Sequence, residues 1–207
     1  MPLSRTSLAE GPFFHYRCSK MKLRYVVVLL LALGAIASQA QRSEPRFEEG
    51  NQLIRPEGYR EWVFVGSGLG MSYNEGPPDK APHFTNIYLE PHAYRHFLET
   101  GKFPDKTVLV MEVVTAGSRA SINQQGHFED SFIGVEAAVK DEKRFPEKWA
   151  YFNFIGSGGK ALDRASPFPK EACWSCHHEH GEVDNVFVQF YPVLREALRP
   201  SQEGKAR

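Results

Sequence analysis

The sequence predicts an α+β fold built on a predominantly antiparallel β-sheet with a few flanking helices. Runs rich in aromatic and β-branched residues recur between residues 84 and 155, and polar, glycine-rich or proline-rich segments separate them. Helical patterns are confined to a short segment before these runs, one segment between them and the C-terminal end. The chain has 207 residues, 42% of them hydrophobic, which is enough for one domain of ordinary size.

The predicted elements follow from these patterns in chain order. A short helix is expected around residues 55–62, and the glycines between Gly66 and Gly70 predict a loop. Pro91 is well placed to begin a helix that Gly101 would end. The predicted strands are Phe84–Leu89, Thr107–Thr115, Phe132–Val139 and Trp149–Ile155.

Two connections have particular interest. The second and third predicted strands should be antiparallel neighbours, joined by a long polar loop over residues 116–130. After residue 182, apolar residues recur at helical spacing as far as Leu198 and predict a final helix. Pro192 could divide that helix into two pieces.

The N-terminal segment has the layout of a secretory signal peptide. Two basic residues, Lys22 and Arg24, precede an apolar run over residues 26–37, and small residues lead to Ala40. The run is too short for a comfortable membrane span, so we expect a periplasmic or secreted protein without a stable membrane anchor. The start could be Met1 or Met21.

The expected organisation follows from this segment. Residues 1–40 form an N-terminal extension and signal peptide, 41–54 a flexible lead-in, 55–198 the main domain and 199–207 a tail. Without residues 1–40, the chain has 20 basic and 24 acidic residues, a net charge of −4. This balance gives no indication of nucleic acid as a partner.

One motif near the C-terminal end predicts the cofactor. Cys173-Trp-Ser-Cys176-His177 is the attachment pattern of a c-type haem. The two thiols would add across the haem vinyl groups, and His177 would be the proximal axial ligand of the iron. The third cysteine, Cys18, lies in the predicted N-terminal extension, so a disulfide scaffold is excluded. The motif therefore predicts one covalently bound haem c.

Two alternatives to an open haem site remain at this point. A zinc-binding module is one, because both cysteines and two of His177, His178 and His180 could supply four ligands. A plain periplasmic electron-transfer cytochrome is the other, but no methionine follows Met111, so its second axial ligand would have to come from upstream. Without such a ligand, an open iron favours binding or activating a small molecule.

The order of several motifs resembles the cytochrome P-460 family, over roughly residues 55–195. These are Tyr59-Arg-x-Trp62, Pro104-Asp-x-Thr-Val-Leu109, the haem motif and Asp184-x-Val-Phe-Val188. The resemblance implies a homodimer with an antiparallel β fold and five-coordinate haem c. It also implies a small nitrogenous molecule at the iron, either hydroxylamine as a substrate or nitric oxide as a ligand, and an external redox partner. The related cytochromes c′-beta bind nitric oxide or carbon monoxide.

Enzymes of that family carry a lysine bonded covalently to the haem macrocycle. Counted from Pro104, its position is Met111 in this chain, and a methionine has no amine with which to form the bond. Lys106 is the one nearby candidate for a cross-link, five residues earlier. The resemblance thus leaves open whether this chain oxidises hydroxylamine or has a peroxidase-like activity.

Three residues are candidates for the distal pocket opposite His177. Met111 should share a strand face with Leu109 and could contact the haem, although a core methionine is the alternative. Glu136 lies among small residues on its strand face and could transfer protons over the iron, unless it faces solvent or an interface. His127, in the polar loop, could reach the same side, unless it is a surface histidine.

Overall fold

A computed structural model describes residues 43–73, 76–77, 81–157 and 160–198. The predicted signal peptide (1–40) and tail (199–207) lie outside these residues. Strands are numbered β1–β7 and α-helices α1–α3. The strands are β1 (Leu53–Ile54), β2 (Val63–Leu69), β3 (His83–Leu89), β4 (Val108–Gly117), β5 (Phe128–Lys140), β6 (Trp149–Asn153) and β7 (Arg164–Ala165). The helices are α1 (Pro91–Thr100), α2 (Trp174–His180) and α3 (Pro192–Leu198).

Five strands form one antiparallel sheet in the order β2-β3-β4-β5-β6. Each strand pairs with its neighbour in sequence, so short connections suffice and no crossover is required. The short strands β1 and β7 form a second antiparallel pair. With three helices beside a dominant sheet, the predicted α+β class is confirmed.

The sheet is buried on both faces because alternate side chains of its central strands enter two hydrophobic clusters. On β4, Val108 and Val110 belong to one cluster and Leu109 to the other. On β6, Phe152 belongs to the first cluster, and Trp149 and Tyr151 to the second. The second cluster is the one that extends into the candidate site.

Helix α1 has the ends that its sequence predicted. Pro91 is at its first position, and Glu90 caps it by accepting a hydrogen bond from the Ala93 amide at 2.9 Å. Gly101 ends it with a left-handed φ of 67°. Between these ends, Phe97 is fully buried in the second cluster.

The predicted loop at Gly66–Gly70 is wrong, because most of it belongs to strand β2. These glycines allow close approach instead of a turn. A Cβ atom on Gly66 would lie 3.2 Å from Cδ1 of Tyr191 and 3.3 Å from the carbonyl oxygen of Phe190. The strand therefore continues under the C-terminal segment, where a side chain would not fit easily.

The predicted C-terminal helix is wrong before Pro192, although a helix does begin at that proline. Residues 183–186 form a tight turn, Val188–Phe190 a single 3₁₀ turn, and only Pro192–Leu198 an α-helix. The turn breaks the helix because Asp184 and Asn185 both have left-handed backbones, with φ of 47° and 64°. Pro192 then begins α3, where its missing N–H has no cost.

Two further N-terminal predictions need adjustment. The short helix expected over residues 55–62 is reduced to a 3₁₀ turn at Tyr59–Glu61. The expected flexible lead-in, residues 41–54, includes β1 at its end, where Leu53 is fully buried in the first cluster. Among the described residues, no helix has the length and apolar character needed to cross a membrane.

Candidate functional site

A cavity of about 390 Å³ lies between one face of the sheet and the C-terminal segment. Its walls are mostly apolar or aromatic. The residues that line it are Tyr73, Ile87, Leu109, Met111, Glu136, Ala137, Ala138, Tyr151, Phe152, Phe168, Ala172, Cys173, Cys176, His177, Asn185, Val186, Phe187 and Tyr191. The second hydrophobic cluster thus opens into a pocket that also contains thiols, an imidazole and a carboxyl group.

The sheet supplies one wall through a row of cross-strand neighbours. Ile87 on β3 is the register partner of Met111 on β4, and Met111 is the partner of Glu136 on β5. Directly opposed side chains on antiparallel strands lie about 5 Å apart at Cβ. Leu109 and its partner Ala138 form the next row on the same face. Met111 and Glu136 are therefore adjacent members of one wall.

The opposite wall contains the Cys-x-x-Cys-His motif on helix α2. Cys173 caps the helix, and the amide of His177 donates to the carbonyl oxygen of Cys173 at 3.1 Å. Cys173, Cys176 and His177 are three and four residues apart along the helix, which places them on one face. Both thiols are free and partly buried, and all three side chains line the cavity.

The imidazole of His177 is held on two sides and at one nitrogen. Its ring centroid lies 4.2 Å from that of Tyr151 and 4.4 Å from that of Phe187. Its Nδ1 is 3.0 Å from the carbonyl oxygen of Asn185. Because a carbonyl oxygen only accepts hydrogen bonds, the proton belongs on Nδ1, which leaves the lone pair of Nε2 free for a metal.

Burial lowers the pKa of His177, although its hydrogen bond to the Asn185 carbonyl offsets part of this effect. The neutral imidazole is therefore the favoured form, and it is the form that binds metals. Burial also raises the pKa of the Cys173 thiol, with smaller contributions from Glu136 and Cys176. The Glu136 carboxyl thus lies close enough to the Cys173 thiol to contribute to this rise in its pKa.

Glu136 differs from the other polar groups of the cavity. Its side chain is partly buried, and no donor or cation among the described residues forms a hydrogen bond or ion pair with its carboxylate. Burial alone raises its pKa. A carboxyl group of this kind can accept or donate a proton at a higher pH than an ordinary glutamate.

The structure does not bring His127 to the cavity. This residue is exposed in the loop between β4 and β5, on the part of the hairpin that extends beyond β6. Strand β6 pairs with β5 only from Glu136 onwards, so the tip of the hairpin is far along the strand from the cavity wall. His127 is therefore located at the surface, as in the alternative given for it from the sequence.

Lys106 also lies outside the cavity. It has a left-handed backbone with φ of 67°, and its ammonium group forms an ion pair with the buried carboxylate of Asp141. Met111, by contrast, is a cavity residue. No lysine is present among the described residues that line the cavity, so the amine of a family-type cross-link has no source there.

Sequence reasoning missed two residues that fix the imidazole, Tyr151 and Asn185. Tyr151 comes from β6, and only the register of the sheet places it beside His177. Asn185 was part of the expected helix. However, aspartate and asparagine tolerate a left-handed backbone, so the adjacent Asp184 and Asn185 could have indicated a turn at this point.

The remaining histidines of the motif do not join His177. The His178 ring stacks on Trp174 at 4.3 Å between centroids, and His180 is exposed next to Glu179. Over the described part of the chain, no three His, Cys, Asp or Glu side chains are grouped so that they could hold a metal ion. The geometry therefore offers no support for a zinc module.

The donor set suits a haem c. Two thiols stand beside an imidazole whose Nε2 is free, in a cavity whose other walls are largely apolar, and the haem ring needs such surroundings. Among the described residues that line the cavity, Asn185 has a buried Nδ2 without a hydrogen-bond partner. That donor is available to a polar group of a bound molecule.

Comparison with known proteins agrees with this chemistry. The family model of cytochrome P460 matches residues 56–188, most of the chain that the structure describes. The chain belongs to the cytochrome P460 family. It is thus a haem protein of a family linked to the oxidation of nitrogen compounds, and the resemblance seen in the sequence is confirmed. No curated protein matches the chain.

Proposed function

We propose that this chain is an exported mono-haem c-type cytochrome with an open site for a small nitrogenous molecule. Cys173 and Cys176 would hold the haem by thioether bonds, and His177 would be its proximal ligand. The observation that carries the proposal is the shared cavity, in which the two thiols, the neutral imidazole and an unpartnered carboxyl all meet.

The haem would supply an open coordination position and a centre that accepts or donates single electrons. The chain's own residues would control access to that position. Ile87, Met111 and Leu109 form an apolar wall that admits a small uncharged molecule and limits water. Glu136 is the one carboxyl group among the described lining residues, and it would take up a proton from a bound molecule such as hydroxylamine.

Met111 favours binding and electron exchange over the chemistry of the cross-linked enzymes. It occupies the cavity position that the family resemblance assigns to the cross-linking lysine, and its thioether cannot form that bond. The distal wall then contains apolar side chains and one carboxyl group. Such a wall suits a neutral ligand of the nitric oxide type, and hydroxylamine oxidation would depend on Glu136 alone for proton transfer.

A plain electron-transfer cytochrome is the second candidate, and one observation favours it. The Met111 thioether lines the same cavity as His177, and methionine paired with histidine is a common axial pair in electron carriers. We further propose, from the family resemblance, that the protein is a homodimer and that it exchanges electrons with a separate redox partner.

Optical and mass spectra of the purified, full-length expressed protein test the proposal. We expect an intact mass that includes one haem after denaturation, a high-spin ferric spectrum, and a ferrous spectrum that changes on adding nitric oxide. A low-spin ferric spectrum that resists nitric oxide would replace this proposal with the electron carrier. A protein that contains zinc and no haem would overturn both.

A further inference from the structure

We propose that Lys140 and Asp184 are positioning residues that set the strength of the bond between His177 and the iron. This inference rests on the proposed function, because it assumes His177 as the proximal ligand. The two residues touch neither the cavity nor the imidazole. They act through the carbonyl group of Asn185, which accepts the hydrogen bond from His177 Nδ1.

The turn that presents this carbonyl is intrinsically unfavourable. Val183 and Val186 are joined by two backbone hydrogen bonds, and the two residues between them both have positive φ. This is the pattern of a type I′ turn, which favours glycine and tolerates asparagine and aspartate. With no glycine at either position, the turn needs contacts from outside to keep its shape.

Asp184 provides those contacts through both carboxylate oxygens. Its Oδ2 accepts a hydrogen bond from Lys140 Nζ at 2.7 Å, and its Oδ1 accepts one from Trp149 Nε1 at 3.2 Å. Lys140 and Trp149 are register partners at the paired ends of β5 and β6 and are both buried. The turn is thereby tied to the five-stranded sheet through two of its strands.

Lys140 is itself fixed by more than this ion pair. Its Nζ donates to the carbonyl oxygen of Phe103 at 2.8 Å and lies 3.4 Å from Oε1 of Glu142. A buried ammonium group with three partners cannot swing away without losing them. Asp184 is therefore held at a defined place relative to the sheet, and Asn185 with it.

Two further contacts show that the turn is fitted to the imidazole. The Tyr151 hydroxyl donates to the same Asn185 carbonyl at 3.3 Å, so this oxygen is fixed from two directions. Gly181 permits the close approach, since a Cβ there would lie 2.8 Å from the carbonyl carbon of Asn185. Each contact favours the one placement in which Nδ1 and the carbonyl oxygen are 3.0 Å apart.

The consequence follows from ligand chemistry. A hydrogen bond from Nδ1 to a carbonyl makes the imidazole a stronger donor, and stronger donation favours ferric over ferrous iron. If the turn relaxes, the hydrogen bond lengthens, the iron–histidine bond weakens and the reduction potential rises. Lys140 and Asp184 would thus hold the potential down without contacting the haem.

The test is the charge-neutral double variant Lys140→Met/Asp184→Ala, made in the haem-loaded, full-length protein. Removing both charges together avoids a change of potential caused by net charge alone. We expect a lower iron–histidine stretching frequency in the ferrous resonance Raman spectrum and a higher midpoint potential. A tenfold loss of preference for ferric iron would correspond to about 59 mV in this one-electron couple.

A matched control is the neutral pair Arg60→Met/Glu112→Gln. Arg60 and Glu112 form an ion pair with a buried carboxylate, but Glu112 is on the strand face away from the cavity. This control should leave the frequency and the potential unchanged even if it lowers stability. Shifts of equal size in both double variants would mean a general loss of structure and would overturn the proposal.

The single variant Asp184→Asn keeps the test decisive if the double variant fails to fold. Asparagine can still accept from Trp149 but loses the ion pair, so a smaller fall in the iron–histidine stretching frequency is expected. The frequency is the deciding readout for this variant, because the change in net charge raises the potential by itself. An unchanged stretching frequency in this folded variant would overturn the positioning role while leaving the proposed function intact. A wild-type protein without covalent haem would instead refute the proposed function, on which this inference depends.

Discussion

The two walls of the cavity are built by different means. On the helix side, His177 has an aromatic ring on each face and a hydrogen bond to a carbonyl that is itself fixed by Tyr151. On the sheet side, Met111 and Glu136 face the cavity as cross-strand neighbours, and the carboxyl has no described partner. Fixed contacts suit a permanently bound group, whereas a wall without them suits a molecule that enters and leaves.

Two glutamates on neighbouring strands make the same contrast. Glu112 on β4 is buried on the face that packs in the first cluster, where it accepts hydrogen bonds from the Tyr59 hydroxyl at 2.7 Å and from Arg60 Nε at 2.8 Å. Glu136 on β5 faces the cavity and lacks such donors among the described residues. Burial of a paired carboxylate serves the fold, and burial of an unpaired one opposes it. The second arrangement indicates a functional role.

The largest effect is expected from changes to the helix-side wall, and it concerns the covalent attachment of haem. The double variant Cys173→Ala/Cys176→Ala removes both thiols and should abolish covalent attachment, so that acid–acetone extraction releases all of the haem. Intact mass after denaturation measures this directly. The variant Cys18→Ala is the control, because that residue lies outside the predicted exported domain. Complete retention of haem by the double variant would contradict thioether attachment.

A steric change behind the same wall should have the next largest effect. In Gly181→Ala, the new Cβ would lie 2.6 Å from the carbonyl oxygen of His177 and 2.8 Å from the carbonyl carbon of Asn185. Backbone atoms cannot rotate away, so we expect a loss of about 2 kcal/mol in the free energy of unfolding, measured with urea.

The matched control for that variant is Gly76→Ala, where the added Cβ would have no atom within 4 Å among the described residues beyond its chain neighbours. Its stability should stay within about 0.5 kcal/mol of the wild type. Equal stabilities for the two variants would show that the turn at residues 183–186 has room to move away from helix α2.

Part of this fold could be predicted from the sequence alone. The four strands from β3 to β6 could be predicted because each is a run of β-branched and aromatic residues, and Pro91 and Gly101 mark both ends of α1. Strand β2 escaped prediction because its glycines resemble a loop, while their actual role is close contact with Tyr191. Such a contact depends on tertiary packing.

Some residues of the candidate site could also be predicted from the sequence, and others could not. Cys173, Cys176 and His177 are recognisable because their chemistry depends on spacing within one helix. The pairing of Met111 with Glu136 depends on the register between two strands, and the hydrogen bond from His177 to Asn185 depends on a turn that apolar spacing had suggested was helical. His127 failed as a candidate because loop length says little about where a loop points.

A moderate effect on the free energy of unfolding is expected from a change to Glu136 in the sheet wall, and this effect should depend on pH. Burial raises the pKa of Glu136 in the folded protein, so between the unfolded and folded pKa values the folded state binds more protons. Stability should therefore fall as pH rises through that window. Glu136→Gln should remove this fall, and at pH values above that window the variant should be more stable than the wild type. Urea titrations at about one-unit steps from pH 4 to 8 would measure this difference.

The control for this effect is Glu112→Gln, which removes a charge from the sheet face opposite the cavity. It weakens the charge-assisted hydrogen bonds from Arg60, whose side chain is 64% exposed, so the cost should be about 1 kcal/mol. The two variants should thus change stability in opposite directions at neutral pH. A destabilised Glu136→Gln variant would mean that the carboxylate has a stabilising partner.

The smallest effect on stability and on the ferric absorption spectrum is expected from Met111→Leu. A small effect would indicate that Met111 is not a ligand of the iron. Leucine has nearly the volume of methionine, so stability should change by less than about 1.5 kcal/mol. If the distal position of the iron is open, the ferric absorption spectrum should also be unchanged, because no ligand has been removed. If the Met111 thioether is instead the sixth ligand, the variant should change from a low-spin to a high-spin spectrum. That change would favour the electron carrier over a ligand-binding cytochrome, because both walls would then supply a ligand to the iron.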